Sequence, residues 1–272
     1  MDIEGKRLPD SDRLSIISAA IILSYAIIPF VKLPTQNIQL QLPGLFLQFN
    51  LQFGTLISFL VAALAAFGSD WLIQSHPRKE THIFFRHGFI PALTAWAIGV
   101  PLNTLGIGPA WWVVLALGGV LMVLVLVSEY IVVDPNSAAY VPASLGLTAV
   151  SFALYLILAI AIRAAGVRLF FMLPALIPTL GLLVLRSLYL SSNGKWHWFW
   201  SVGIAVFVGQ IAIGMHYLPI QSITFGLILV GLAYPLTNFV SALEDGRQSV
   251  GLWLEPLVLF LIFLLLALII KA

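Results

Sequence analysis

Between Trp111 and Val133 the chain reads WWVVLALGGVLMVLVLVSEYIVV, 23 residues with a single charged side chain, Glu129. As a helix rising 1.5 Å per residue this run extends about 34 Å, enough to cross a hydrocarbon core of about 30 Å. Only structures that satisfy every backbone polar group internally survive in such a core, so the run reads as a transmembrane helix.

Working outward from it, eight further windows of similar character appear, each bounded by charges, prolines or aromatic residues. They run Leu14 to Val31, Gly54 to Gln74, Phe89 to Ile107, Tyr140 to Arg163, Leu169 to Leu190, Phe199 to Tyr217, Ile220 to Leu243 and Val250 to Ile270. The expected fold is therefore all-α: a polytopic transmembrane helix bundle of about nine spans, forming one integral membrane domain over 1–272. The separations at Gly106 to Pro109 and at Leu218-Pro219 are the tightest, so counts of eight or ten remain open.

Composition agrees. The 272 residues are 61% hydrophobic and 9% charged, with a mean hydropathy of +1.05. Water-soluble domains sit near half apolar and a quarter charged. A net charge of +2 is too small to imply nucleic-acid binding. With no cysteine, disulfides, thiolate metal sites and thiol nucleophiles are excluded. No cofactor is implied.

Lys6, Arg7 and Arg13 precede the first window, but Asp2, Glu4, Asp10 and Asp12 dilute that charge and no small-residue cleavage pattern follows Val31. It reads as a retained anchor rather than a secretory signal. With the N-terminus inside, Lys6, Arg7, Arg13, Arg78, Lys79, Arg86, Arg186, Lys195 and Arg247 fall on the cytoplasmic side, against Lys32, Arg163, Arg168 and Lys271 outside. Nine against four favours that orientation in a bacterial inner or plasma membrane. Arg163 and Arg168 dissent.

One connection is long. Residues 33–53 read LPTQNIQLQLPGLFLQFNLQF, with apolar and polar residues alternating on both sides of Pro43-Gly44. A period of two around a turn signal predicts a short extracytoplasmic amphipathic hairpin between the first two spans. An isolated hairpin is marginal in water, so it would rest on the helices, on lipid or on a membrane-protein partner.

Small residues recur every four positions in the second window at Gly54, Ser58, Ala62 and Ala66, followed by Asp70, a ridge that predicts close helix packing. Seven of the eight tryptophans lie near window ends, as interfacial belts require.

Polar groups at membrane depth are costly and so informative. Asp70, Glu129 and Arg186 lie about 6 Å inside the inner ends of their windows, and Glu255 lies about 7 to 8 Å inside, before Pro256. Tyr234, Asn238, Ser241 and Asp245 fall on one face of the eighth window. Asp70, Glu129, Arg186, Asn238 and Glu255 thus form a candidate polar layer on the cytoplasmic side, and Glu255 is expected to pair with Arg186. Arg78, Lys79 and Arg86 are candidates for contact with anionic lipid headgroups, each worth about 1 kcal/mol. His76, His82 and His87 are spaced by six and five, which does not suit two ligands on one helix face, and no metal site is assigned. No catalytic motif is present.

The strings Gly68-Ser-Asp-Trp-Leu-Ile-Gln-Ser-His-Pro77, Glu129-Tyr-Ile-Val-Val-Asp-Pro135 and Leu243-Glu-Asp-Gly-Arg247 resemble those of uncharacterised bacterial multi-span proteins grouped under a domain of unknown function. That resemblance implies a polytopic fold and no activity. Three function classes stand: a non-enzymatic membrane subunit or scaffold, a small-solute or proton-coupled transporter using the cytoplasm-facing polar layer, and a lipid-modifying membrane enzyme. The first is preferred, because nearly every polar feature has a structural explanation.

Overall fold

The computed structural model describes residues 9–31, 36–42, 45–51, 53–76, 84–192, 194–244, 246 and 250–271. Among them are nine α-helices: α1 (Ser11–Ala26), α2 (Phe53–Ile73), α3 (Phe84–Thr104), α4 (Pro109–Ile131), α5 (Tyr140–Ala164), α6 (Leu169–Ser191), α7 (Trp198–His216), α8 (Ser222–Glu244) and α9 (Leu254–Lys271). Seven of these are long and apolar enough to cross a membrane: α1 with the short 3-10 turn after it, α2 and α4 to α8. In α3 the sequence places Pro91 and Pro101 inside the helix, and α9 offers a shorter apolar stretch, Leu254–Ile270.

Each predicted window corresponds to a helix, with two informative shifts. α3 begins at Phe84, five residues before its apolar window, because the backbone is already helical through the stretch that carries Arg86 and His87. α9 begins at Leu254, after a 3-10 turn over Val250–Trp253. Between α1 and α2, β1 (Gln36–Leu42) and β2 (Leu45–Leu51) pair antiparallel, with Leu42 opposite Leu45, Leu40 opposite Leu47 and Ile38 opposite Phe49.

Contacts divide the chain into two compact units, Met1–Ala143 and Ser144–Ala272. In the first, Ile17 and Ile21 of α1, Val61 and Ala65 of α2, Ala95 and Ile98 of α3, and Leu115, Met122 and Leu126 of α4 form one buried cluster. Their spacing is helical, one face per element. The α2 ridge packs on α3: a side chain at Gly88 would press on the Ala66 backbone, one at Gly99 would strike Ser58, and one at Gly54 would overlap Asn103. Without glycine at those positions the helices would stand farther apart.

The outward faces are as apolar as the buried ones. Leu117, Val120 and Leu124 of α4 are exposed opposite the buried Leu115, Met122 and Leu126, and Phe59, Phe67 and Phe199 are exposed as well. Exposed aliphatic and aromatic faces on this scale belong against lipid, where apolar surface costs nothing. Trp71, Trp112, Trp196, Trp198, Trp200 and Trp253 are exposed at helix ends, the expected belt. Trp111 departs from it: its ring is buried and its indole Nε1 donates to the Leu102 carbonyl at 3.0 Å, locking the α3–α4 corner.

In the second unit, α5 ends at a glycine that the turn requires. Gly166 has φ of +62°, its N–H bonds the Arg163 carbonyl, and the Val167 N–H reaches back to the Ile162 carbonyl. Only glycine takes that left-handed conformation without strain.

Candidate functional site

A cavity of about 400 Å³ opens within the second unit, lined by α5, α6, α8 and Phe263 of α9. Its walls follow from helical spacing. On α5, Ser144, Thr148 and Phe152 recur every four residues; on α6, Ser187 and Ser191 do so; on α8, Tyr234, Thr237, Asn238 and Ser241 share one face.

The helices meet in a definite register. Ser187 Oγ donates to Thr148 Oγ1 at 3.4 Å, and the rings of Phe152 and Tyr234 meet edge to face at 5.2 Å. One turn farther along α5, a side chain added at Gly226 of α8 would touch Leu156 and Ile160. α5 therefore runs antiparallel to α8, and the start of α5 lies level with the ends of α6 and α8. Gly231 admits Phe263 against α8, since a Cβ there would fall 2.5 Å from the Phe263 Cβ. Pro235 lacks the amide that would bond the carbonyl four residues back, which relaxes α8 where its polar face begins.

This register sorts the lining by chemistry. Ser144, Thr148, Ser187, Ser191, Asn238 and Ser241 gather at the end where α5 begins, whereas Leu156, Val230 and Phe263 lie toward the middle of the helices. Among the described residues, none that lines the cavity is charged. Thr237 Oγ1 is committed to the Ala233 carbonyl at 2.7 Å and Ser191 Oγ to the Leu188 carbonyl at 3.1 Å. Asn238 and Ser241 make no side-chain hydrogen bond among the described residues. An amide and a hydroxyl left without partners in an apolar setting carry a cost that a polar guest removes.

A family model described as Protein of unknown function (DUF5656) matches residues 33–270. The chain belongs to this family. Every residue lining the cavity of this DUF5656 chain falls inside the matched region. No curated protein and no solved structure matches the chain.

Of the five residues expected in a polar layer, Asn238 lines the cavity, as do Tyr234 and Ser241 of the predicted α8 stripe; Asp245 lies outside the described residues. Asp70 and Glu129 belong to the first unit of the DUF5656 fold, where Asp70 accepts a hydrogen bond from Gln74 Nε2 at 3.0 Å. Glu129 is fully buried with His87 Nδ1 2.9 Å from its Oε2. Arg186 is buried with its guanidinium 5.6 Å from the Tyr189 ring and does not line the cavity.

The expected pairing of Arg186 with Glu255 is not made. Glu255 is exposed in the first turn of α9. The apolar window begins at Val250, but the helix starts four residues later, at Leu254, so Glu255 sits in its first turn rather than about 7 to 8 Å inside. There a carboxylate is favoured by the unbonded N–H groups of the first turn and needs no buried arginine. Arg78 and Lys79 lie outside the described residues, as does the side chain of Arg86 in the first turn of α3.

Sequence reasoning missed the His87–Glu129 contact and all of the cavity lining except Tyr234, Asn238 and Ser241 of α8. Both left traces. His87 stands at the start of one helix and Glu129 at the end of the next, hence at the same level of an antiparallel pair, and the four-residue spacings of Ser144 with Thr148 and Ser187 with Ser191 are visible in the chain.

Proposed function

We propose that this chain is a multi-pass protein of a bacterial cell membrane, crossing it nine times with the N-terminus in the cytoplasm and the β1–β2 hairpin outside. In that membrane its second helical unit binds a small uncharged molecule. The observation that carries this reading is a cavity whose described lining is uncharged, with its polar residues gathered at one end and including an amide that makes no side-chain hydrogen bond among the described residues. A chain that served only as a scaffold would gain from filling that space with side chains, because packed interiors are more stable than hollow ones. Volumes of this order suit small ligands.

The cavity favours binding and transfer of a solute over lipid-modifying chemistry. Among the described residues that line it there is no histidine or carboxylate to act as base for its serines, and activated hydroxyl nucleophiles depend on such a neighbour. Under the same orientation the polar end of the cavity faces the cytoplasm. The hairpin remains a surface where a membrane partner can dock, and basic residues 78, 79 and 86 would rest on headgroups.

The test is ligand-dependent thermal stability. The purified protein in detergent is screened against uncharged and charged small molecules, beside an Asn238→Leu variant. An uncharged compound should raise the melting temperature of the parent protein and leave Asn238→Leu unmoved. If charged compounds alone stabilise it, or both proteins respond equally, the binding site lies elsewhere.

A further inference from the structure

Resting on the reading that the cavity is a binding site, we infer that its occupant is a neutral amphiphile drawn from the bilayer, an uncharged hydroxyl- or amide-bearing headgroup on a hydrocarbon chain. Three observations lead there. The first is the segregation of the lining: Asn238 and Ser241, whose side chains make no hydrogen bond among the described residues, at one end, and Phe152, Leu156, Val230 and Phe263 toward the other. A compact polar solute would leave the apolar end unmatched, and a plain hydrocarbon would leave the amide buried without a partner.

The second is the absence of charge among the described residues of the lining. A phosphate or carboxylate headgroup would enter with no counter-ion among them, a desolvation cost that hydroxyls do not offset. The third is the way in. On the α5 side, Leu145, Ala149 and Ala153 line the cavity and are also exposed, so it opens sideways on the outward face of a helix suited to lipid. A chain can slide in past two alanines, while the headgroup stays level with the end of the helix.

Photolabelling in lipid nanodiscs tests this with the full chain. The probe is monoolein carrying a diazirine in its acyl chain; competitors are unlabelled monoolein, free glycerol and lysophosphatidylglycerol, which keeps the chain but adds an anionic headgroup. Labelled peptides should map to 145–156 and 227–238. Excess monoolein should reduce labelling at least tenfold and the anionic lipid by less than twofold. Two variants at opposite ends guard against a folding artefact: Asn238→Leu and Ala153→Trp should each cut labelling about tenfold, with the gel-filtration profile of the parent protein.

Each failure has its own meaning. Labelling displaced by glycerol but not by monoolein overturns the amphiphile and leaves a polar-solute site standing. Equal competition by the anionic lipid overturns the neutral headgroup. Labelling scattered along all helices and unchanged in both variants overturns the amphiphile together with the binding site it rests on.

Discussion

The contact between Gly54 and Asn103 shows how single residues set helix spacing in this protein. Asn103 Nδ2 donates to Ser58 Oγ at 3.0 Å, and Ser58 Oγ donates to the Gly54 carbonyl at 2.9 Å, so a buried polar chain joins α3 to α2 across a glycine. Gly54→Val should cost about 1 to 3 kcal/mol through overpacking. Gly146 has nothing within 4 Å of its missing Cβ, and Gly146→Ala should be neutral or stabilising by up to about 1 kcal/mol. Thermal unfolding of both in one detergent decides; equal losses would remove the packing account. At the other end of the same unit, Glu129→Leu takes the carboxylate from His87 Nδ1 and should destabilise by about 1 to 3 kcal/mol, with Glu129→Gln losing less because it keeps an acceptor.

At the scale of elements, corners are held by side chains that cap carbonyls. Arg163, at the end of α5, donates through Nη1 to the His216 carbonyl and through Nη2 to the Leu218 carbonyl, both at 2.8 Å, and lies over the Phe225 ring at 5.5 Å. The α7–α8 turn is thus gripped by one guanidinium. Arg13 does the same at the end of α2, bonding the Trp71 carbonyl at 2.8 Å. This gives Arg163 a structural role beside the charge count, since it stands where the last residue of α7 presents the His216 carbonyl. Arg163→Lys should fail to restore what Arg163→Leu loses, because an ammonium does not reproduce the two-pronged grip. Limited proteolysis at Tyr217 to Ile220 is the readout, with faster cleavage in both variants. The helices themselves were legible to within a few residues, since an apolar run of about 20 residues admits little else in lipid. Where the reading slipped, at Glu255, apolar character began before helical geometry did.

For the whole molecule, threading is the testable property. The chain has no cysteine, so single introduced cysteines report accessibility without background. Under the proposed orientation, Tyr217→Cys reacts with an impermeant maleimide in intact cells, and Ser137→Cys reacts only after permeabilisation. The reverse pattern would invert the topology. The division into two units has no counterpart in composition, because the apolar character runs unbroken through residues 143 and 144.

Apolar span-like character and approximate helix limits follow from the chain alone, because lipid imposes length and apolarity on each span independently of its neighbours, whereas the count stays open between eight and ten at the tight turns. Which polar residues meet does not follow, because that depends on rotation and register between helices far apart in sequence. Asn238 stood out as polar in the bare chain, but its companions Ser144, Thr148, Ser187 and Ser191 joined it only when α5, α6 and α8 were packed together. Glu129 found His87 in the same way, through the alignment of two helix ends.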